Sequence, residues 1–327
     1  MTAAIDRTAL ACEQENAPPP VLIIGGPTAS GKSRLAVEVA QAFVGVVINA
    51  DSMQMYCELR VLTARPTAAE EVAAPHRLFG VLTLDSPGSV VTWLDLAEAE
   101  IRAAWAVGRL PIVVGGTGLY LKALTQGIAA VPPIPSSFRV AAADRYDRLG
   151  GEAFRCELAA LDAATAARLP AGDRQRLIRA DEVVRATGRT LGEWQSQGDR
   201  QPIAAKFASI LLLPPRERLY ASIDARFDRM LAAGALEEAV TVLAQDPALP
   251  GMKALGVRPL LSHLRGEICL EEAVRRAKRD SRRYAKRQLT WMRHQLTAPA
   301  MVIEQYSERA QTKLFAFIRE FLLTGVR

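Results

Sequence analysis

The 327-residue sequence predicts an α/β protein: a doubly wound parallel sheet, interrupted by an inserted helical domain and completed by C-terminal helices. Three observations carry this. Short apolar runs of strand type end in small or acidic turn residues at "VLIIGGPTASGKS" (21–33), "VGVVINADS" (44–52) and "RLPIVVGGTGLY" (109–120). Stretches with apolar residues at helical spacing separate these runs, the alternation that gives parallel strands with crossover helices. Residues 138–200 are then rich in Ala, Arg, Leu and Glu without a strand-like run, and a strand returns only at "FASILLLPP" (207–215).

Taken in order, the opening "MTAAIDRTALACEQENAPPP" has no apolar stretch of signal-peptide length and ends in prolines, so residues 1–19 read as a disordered lead-in and the protein as cytoplasmic. A strand over 21–24 and a helix from Ser33, with Leu35, Ala36, Val39, Ala40 and Phe43 on one face, flank a glycine loop. The second strand is expected to end at Asp51. Residues 93–107 read as an amphipathic helix, and the next strand breaks at Gly115. "VPPIP" (131–135) reads as a stiff connector into the insertion. The expected organisation is a core over 20–133 and 205–320, split by a helical insertion over 134–204. In such a sheet ligands sit beyond the carboxyl ends of the strands, where the glycine loop, Asp51 and the Gly115–Gly118 turn converge.

Half the residues are apolar and 23% charged, as in soluble globular proteins. No stretch reaches the roughly 20 apolar residues that span a bilayer, so no membrane is expected. Cys12, Cys57, Cys156 and Cys269 form no CxxC pair, and with three histidines they favour reduced, mostly buried thiols over a disulfide framework or zinc finger. The net charge of +6 is local. Residues 275–293 hold nine Lys/Arg and one acid; the remainder of the chain holds 32 basic and 34 acidic residues. Wound as a helix, this stretch places Ala277, Tyr284 and Trp291 on one stripe and its cations elsewhere, a footprint for a polyanion. Arg176 and Arg179, in "DRQRLIRADEVVRATGR" (173–189), form a second and smaller basic set.

Gly26–Ser33 fits G-x-x-x-x-G-K-[ST], and it stands between strand and helix as the motif requires. Gly26, Pro27, Thr28, Ala29, Ser30 and Gly31 form the loop, whose backbone N–H groups, all but that of Pro27, which has none, converge on phosphate oxygens. Lys32 adds charge and the Ser33 hydroxyl can ligate magnesium. The core is thus P-loop NTPase-like. A carboxylate at Asp51 can hold a metal, orient a water or accept a proton, or simply cap a turn. Thr117 can face an acceptor, or the glycines around it can merely let a helix approach the sheet.

The motifs "GPTASGKS", "NADSMQMY", "TARP", "APHRL", "VVGGTGLYLKAL", "GDRQRLIRADEVVRATGR", "PPRERLY" and "RRYAKRQLTWMR", in this order over about residues 20–295, resemble the bacterial tRNA dimethylallyltransferases. The resemblance implies transfer of a dimethylallyl group from its diphosphate to the exocyclic amine of the adenosine 3′ of the anticodon in tRNA. The phosphate loop would then hold a leaving group, with Arg216 joining Lys32 and a Ser33-bound Mg2+ in the clamp, Asp51 taking the amine proton and Thr117 fixing the acceptor. It also implies RNA contacts from Ser52, Met53, Gln54, Arg139, Gln175, Arg176, Leu177, Ile178, Arg179, Lys253 and Arg258, and from Arg279, Arg282, Arg283, Lys286 and Arg287 of the basic helix. A monomer suffices for this. Here "LTARP" replaces the family's "GTAKP", "LPAGD" replaces "HPND", and a family arginine after "RERLY" falls on Ser222. A P-loop nucleotide or small-molecule kinase accounts for residues 20–120 but leaves the basic helix without a role. An RNA-binding protein regulated through its P-loop accounts for the charge but leaves Asp51 and Thr117 without one.

Overall fold

The computed structural model describes residues 18–196, 199–295, 300–304 and 308–324. The expected lead-in falls, except for its last two residues, outside them. The chain divides after Thr125 and after Pro202: Gln126–Pro202 is one compact unit, and the segments on either side together make the other.

In the larger unit six strands form one parallel sheet: β1 (Pro20–Gly25), β2 (Gly45–Asn49), β3 (His76–Arg77), β4 (Leu110–Gly115), β7 (Lys206–Leu212) and β8 (Ala300–Ile303), in the order β3-β2-β4-β1-β7-β8. β1 lies centrally, with Ile24 in register with Val114 on one side and Ile210 on the other. Val21 through Ile24 are wholly buried, which explains the continuous apolar run: strands covered on both faces lose the polar alternation of a half-exposed sheet. On one face Leu22, Ile24 and Ile210 pack with Leu35 and Val39 of helix α1 (Lys32–Ala42) and with Leu314 and Ile318 near the C-terminus. After the short α2 (Ala68–Ala73), α3 (Val90–Ala106) packs on β2 and β4. Its buried Trp93 donates from Nε1 to Asn49 O at 2.7 Å and stacks on Tyr120 of α4 (Gly118–Gln126), ring centroids 4.4 Å apart.

β2 ends two residues before Asp51, not at it. The Asn49 side chain accepts the Asp51 N–H (2.8 Å) and donates to Asp51 O and Leu78 O (both 3.0 Å), so on the β3 side a side-chain turn replaces the next ladder bonds.

The smaller unit holds α5 (Ser136–Leu149), α6 (Gly151–Ala159), α7 (Ala163–Arg168), α8 (Arg174–Thr187) and α9 (Leu191–Ser196) around Ala142, Phe154, Leu158, Leu177 and Ile178. It begins eight residues before the expected position 134, because β5 (Ile128–Ala129) pairs antiparallel with β6 (Asp199–Arg200) and closes the unit on itself. That two-residue pairing also supplies a strand where none was expected. Asp181 and Glu182 of α8 are buried. Arg145 and Arg185 flank the first, Arg179 and Arg139 the second, so the basic set of this segment is largely spent on its own acids.

The thiols differ from expectation: Cys57, Cys156 and Cys269 are exposed. Cys156 lies two residues from each of Phe154 and Leu158, which α6 turns inward, so helical geometry turns the thiol outward.

Chain direction in the larger unit continues from β7 through α10 (Arg216–Ala232), α11 (Ala235–Thr241), α12 (Val257–Leu264), the 26-residue α13 (Leu270–Gln295) and, after β8, α14 (Glu308–Leu323). Phe227, Met230, Val257, Leu260 and Ala273 share a second core with Tyr56, Leu59 and Leu62.

Gly115 admits no side chain, since a Cβ there would overlap the backbone of Ala50. Gly115→Ala is expected to cost about 1–3 kcal/mol or more of stability, the scale of overpacking. Gly192→Ala, inside α9 with no atom nearer than 3.9 Å to the added carbon, should leave stability unchanged or raise it by up to about 1 kcal/mol. Thermal denaturation of both variants beside the parent checks the contrast.

Candidate active site

The phosphate loop leaves β1 at Gly25 and enters α1 at Lys32. Ala29 (φ 63°) and Gly31 (φ 92°) adopt left-handed backbone, the geometry that turns successive N–H groups into one concavity. No side chain caps the start of α1, so its first N–H groups and the positive end of its dipole remain for an anion. A Cβ on Gly26 would sit 2.7 Å from Ser30 Oγ and 2.8 Å from Leu212 O, which fixes glycine there. Ser30 Oγ is buried with no hydrogen-bond partner, a polar atom awaiting a ligand.

Lys32 Nζ donates to Pro27 O at 2.7 Å. Burial pushes its ammonium down to about 8, against the attraction of Asp51 and with the added repulsion of Arg226. Arg226, from α10, donates to Thr28 Oγ1 at 2.5 Å, and burial also lowers its proton affinity while Asp51 opposes the shift. These groups line a cavity of about 610 Å³ with Thr28–Arg34, Asp51, Gln54, Arg65, Gly115, Ser222 and Arg229. Asp51 Oδ1 accepts from Met53 N at 3.0 Å, so the carboxylate is held in one orientation. The Gln54 amide donates to Thr63 O (2.9 Å) and Ala64 O (3.1 Å), fastening the loop that carries Arg65.

Thr117 stands behind Ser52. Its Oγ1 accepts from Ser52 N at 3.0 Å and its hydroxyl lies 3.4 Å from Ser52 Oγ, so it braces the Asp51 turn and is not on the cavity wall. Three glycines around it are demanded by close neighbours: Gly115 by Ala50, Gly116 by Gln288 and Gly118 by Trp291.

Arg216 does not reach this cavity. It is exposed in the first turn of α10, where it donates to Tyr220 OH at 2.9 Å and stacks over that ring. Arg226 and Arg229, further along the same helix, supply the guanidinium groups instead. The arginine spacing within "ERLYASIDARFDR" was the available signal: Arg226 and Arg229 recur with Ser222 on the face that α10 turns to the cavity.

Oxygen donors of the kind magnesium takes are present in the cavity. The Ser33 hydroxyl and the Asp51 carboxylate both line the cavity, while among the described residues no group of three or more His, Cys, Asp or Glu side chains gathers. Two protein oxygens suit an ion that keeps water and phosphate oxygens.

On α13 the buried stripe is Ala273, Ala277, Ser281, Ala285, Gln288, Leu289 and Met292. Tyr284 and Trp291, expected on that stripe, are half-buried and turned toward the Thr117 turn: Trp291 abuts Gly118, and the Tyr284 hydroxyl faces Thr117 and Gln288. Burial, then the Asp51 charge, raises the proton affinity of that hydroxyl, against its contacts with Thr117 and Gln288. The cations are less isolated than their sequence window implied. Arg275 and Arg276 pair with Glu272, Lys278 with Asp228 (2.6 Å) and Arg282 with Asp224 (2.7 and 2.8 Å). Arg279 and Arg283 approach Asp280 at 3.5 and 3.9 Å. Lys286 and Arg287 are exposed, with no ion pair among the described residues, and Arg287 stacks over Tyr284.

Of the other expected RNA contacts, Gln175, Arg176, Lys253 and Arg258 are exposed, and Arg139 and Arg179 reach Glu182. Leu177 and Ile178 are core residues of the smaller unit and present no surface to a ligand, because α8 turns them inward while Gln175 and Arg176 face out.

Residues 54–295 match the IPP transferase family model, and 19–82 match the isopentenyl transferase model. The chain belongs to the IPP transferase family. Among relatives of this IPP transferase chain, the tRNA dimethylallyltransferase of Rhodospirillum centenum is 55% identical over 282 residues, 85% of this chain and 90% of that one. The full-length tRNA isopentenylpyrophosphate transferase of Bacillus halodurans superposes with a TM-score of 0.67 at 30% identity, covering 94% of this chain and 97% of that one. A eukaryotic dimethylallyltransferase crystallised acting on tRNA superposes at 0.79 over 94% of this chain and 80% of that one; at 24% identity it bears on the fold alone.

Because Lys32 is held near 8, an anion that keeps it protonated is bound with proton uptake above that pH. The pyrophosphate affinity of the parent relative to that of Lys32→Met is therefore expected to fall as pH rises from 7 to 9, by up to about tenfold per unit above 8. Calorimetric titration of both proteins at several pH values measures the ratio, and the comparison removes the ligand's own titration.

Proposed function

We propose that the protein transfers the dimethylallyl group of dimethylallyl diphosphate to the N6 amine of the adenosine 3′ of the anticodon in tRNA. The observation that carries this reading is the meeting, in one cavity, of an anion loop with Lys32 and Arg226 and an oriented carboxylate, Asp51. The loop N–H groups, Lys32 and Arg226 bind the diphosphate and oppose the charge that gathers on it as the allylic C–O bond breaks. The amine nitrogen forms the new C–N bond, its proton passes to Asp51, and diphosphate leaves. Thr117, through Ser52, keeps Asp51 at the amine. Ser33 would hold a magnesium ion, which would neutralise charge on the diphosphate. The target adenine must leave its stack to enter the cavity, which costs a few kcal/mol and is easier from a single-stranded loop than from a duplex. The RNA lies along the outer face of α13, on Arg279, Arg283, Lys286 and Arg287, with Arg282 held by Asp224. In this reading the protein acts as a cytoplasmic monomer; no helix among the described residues is long and apolar enough to cross a membrane.

Kinase chemistry would require ATP to serve as donor, and the two are separable in one assay. Unmodified tRNA incubated with dimethylallyl diphosphate should gain one dimethylallyl mass on a single adenosine, and with ATP alone it should gain nothing. Asp51→Ala should retain tRNA binding while turnover drops at least about a hundredfold; unchanged turnover removes Asp51 from the reaction. Replacing Arg283, Lys286 and Arg287 together by Ala should weaken tRNA binding and reduce its logarithmic salt slope by up to about three, leaving pyrophosphate affinity unchanged. Filter binding across a salt series reads this out.

A further inference from the structure

Gln288 stands on the basic helix, yet its side chain faces inward and is 6% exposed. Its Oε1 accepts the Thr28 N–H at 2.9 Å and its Nε2 donates to Gly116 O at 2.9 Å. One amide thus joins the phosphate loop to the Thr117 turn. Thr28 is also the residue whose hydroxyl receives Arg226, and Gly116 precedes the threonine that holds Ser52 beside Asp51. The neighbouring turn of the helix exposes Arg283, Lys286 and Arg287. The Tyr284 hydroxyl of the same helix also faces Thr117, but Gln288 bonds to both loops at once.

We propose that Gln288 is a positioning residue that couples the two substrates: it ties the RNA-facing helix to the diphosphate loop, so that binding of one ligand orders the bridge that the other also requires. This rests on the reading of α13 as the RNA face and of the loop as the diphosphate site. Both ends of the bridge are directional hydrogen bonds, and both loops must be in register with the helix for them to form. An RNA that fixes the helix therefore removes part of the ordering cost of filling the loop, and linkage makes the effect equal in the opposite direction.

The test measures pyrophosphate affinity by calorimetry with and without saturating unmodified tRNA, and tRNA affinity with and without pyrophosphate. In the parent each ligand is expected to tighten the other by the same factor, about fivefold or more. Gln288→Met fills the same space without either hydrogen bond and should bring that factor close to one, while each single-ligand affinity changes less than about threefold. Gly116→Ala breaks the bridge from its far side with Gln288 intact, since the added carbon overlaps Nε2, and should also abolish the factor. A parent factor of one overturns the proposal, as does a factor retained in either folded variant. Loss of the folded state in both variants would make the amide a structural strut and would overturn it equally. All these quantities are read without turnover, so a failure to prenylate tRNA, which sinks the proposed function, is distinguishable from a failure of coupling.

Discussion

The contact on which the site depends is between two backbones. β2 and β4 are parallel neighbours, and beyond their ends Ala50 N donates to Val114 O (2.8 Å) while Thr117 N donates to Ala50 O (3.2 Å). These bonds carry the pairing past the strand ends and into the turns that hold Asp51 and Thr117. They form only because Gly115 presents no side chain to Ala50. β4 in turn pairs with β1, whose last residue opens the phosphate loop. One steric condition at one glycine thereby fixes the carboxylate turn, the threonine that braces it and the anion loop at adjacent strand ends, where a parallel sheet opens its ligand crevice.

Against that frame, the parts of the molecule legible in the sequence are those written in local patterns. β1, α1, β4 and β7 fall close to their expected spans because an apolar run bounded by glycine or proline, or a 3.6-residue period, is a property of a short window. The Asn49 turn was not legible. It depends on a side chain reaching Leu78, 29 residues away, which no local pattern encodes. The boundary of the smaller unit was missed for the same reason, since β5 and β6 are each two residues long and exist only as a pair.

The site divides along the same line. Loop, lysine and Asp51 are motif positions, whereas Arg226 and Gln288 become site residues only after α10 and α13 fold over the loop. Arg216 illustrates the converse: adjacency to a recognisable segment placed it in the clamp, and the phase of α10 carries it away to Tyr220. Leu177 and Ile178 fell within a contiguous stretch assigned to RNA contact, yet a helix cannot present five consecutive residues to one partner. The acids that neutralise the basic helix were likewise invisible in its own window, since Asp224 and Asp228 come from α10. Charge counted along a segment measures its surface only when no neighbouring element brings the opposite sign.

That redistribution sharpens the electrostatics. Exposed ion pairs are worth little, typically below about 1 kcal/mol, so Arg279 and Arg283 can exchange Asp280 for phosphate at small cost. Arg282 contacts both oxygens of Asp224 and is half-buried, so it is retained as an anchor between α13 and α10. The cavity follows the opposite logic. Lys32 and Arg226 are crowded together, Asp51 attracts both, and their charge is already disfavoured by desolvation. A polyanion relieves that penalty for both groups at once, and relieves it further as negative charge accumulates on it. In the proposed reaction the free protein therefore holds its cations in a state that a diphosphate would improve and a departing diphosphate would improve most. That ordering directs binding energy toward bond cleavage in preference to ground-state capture.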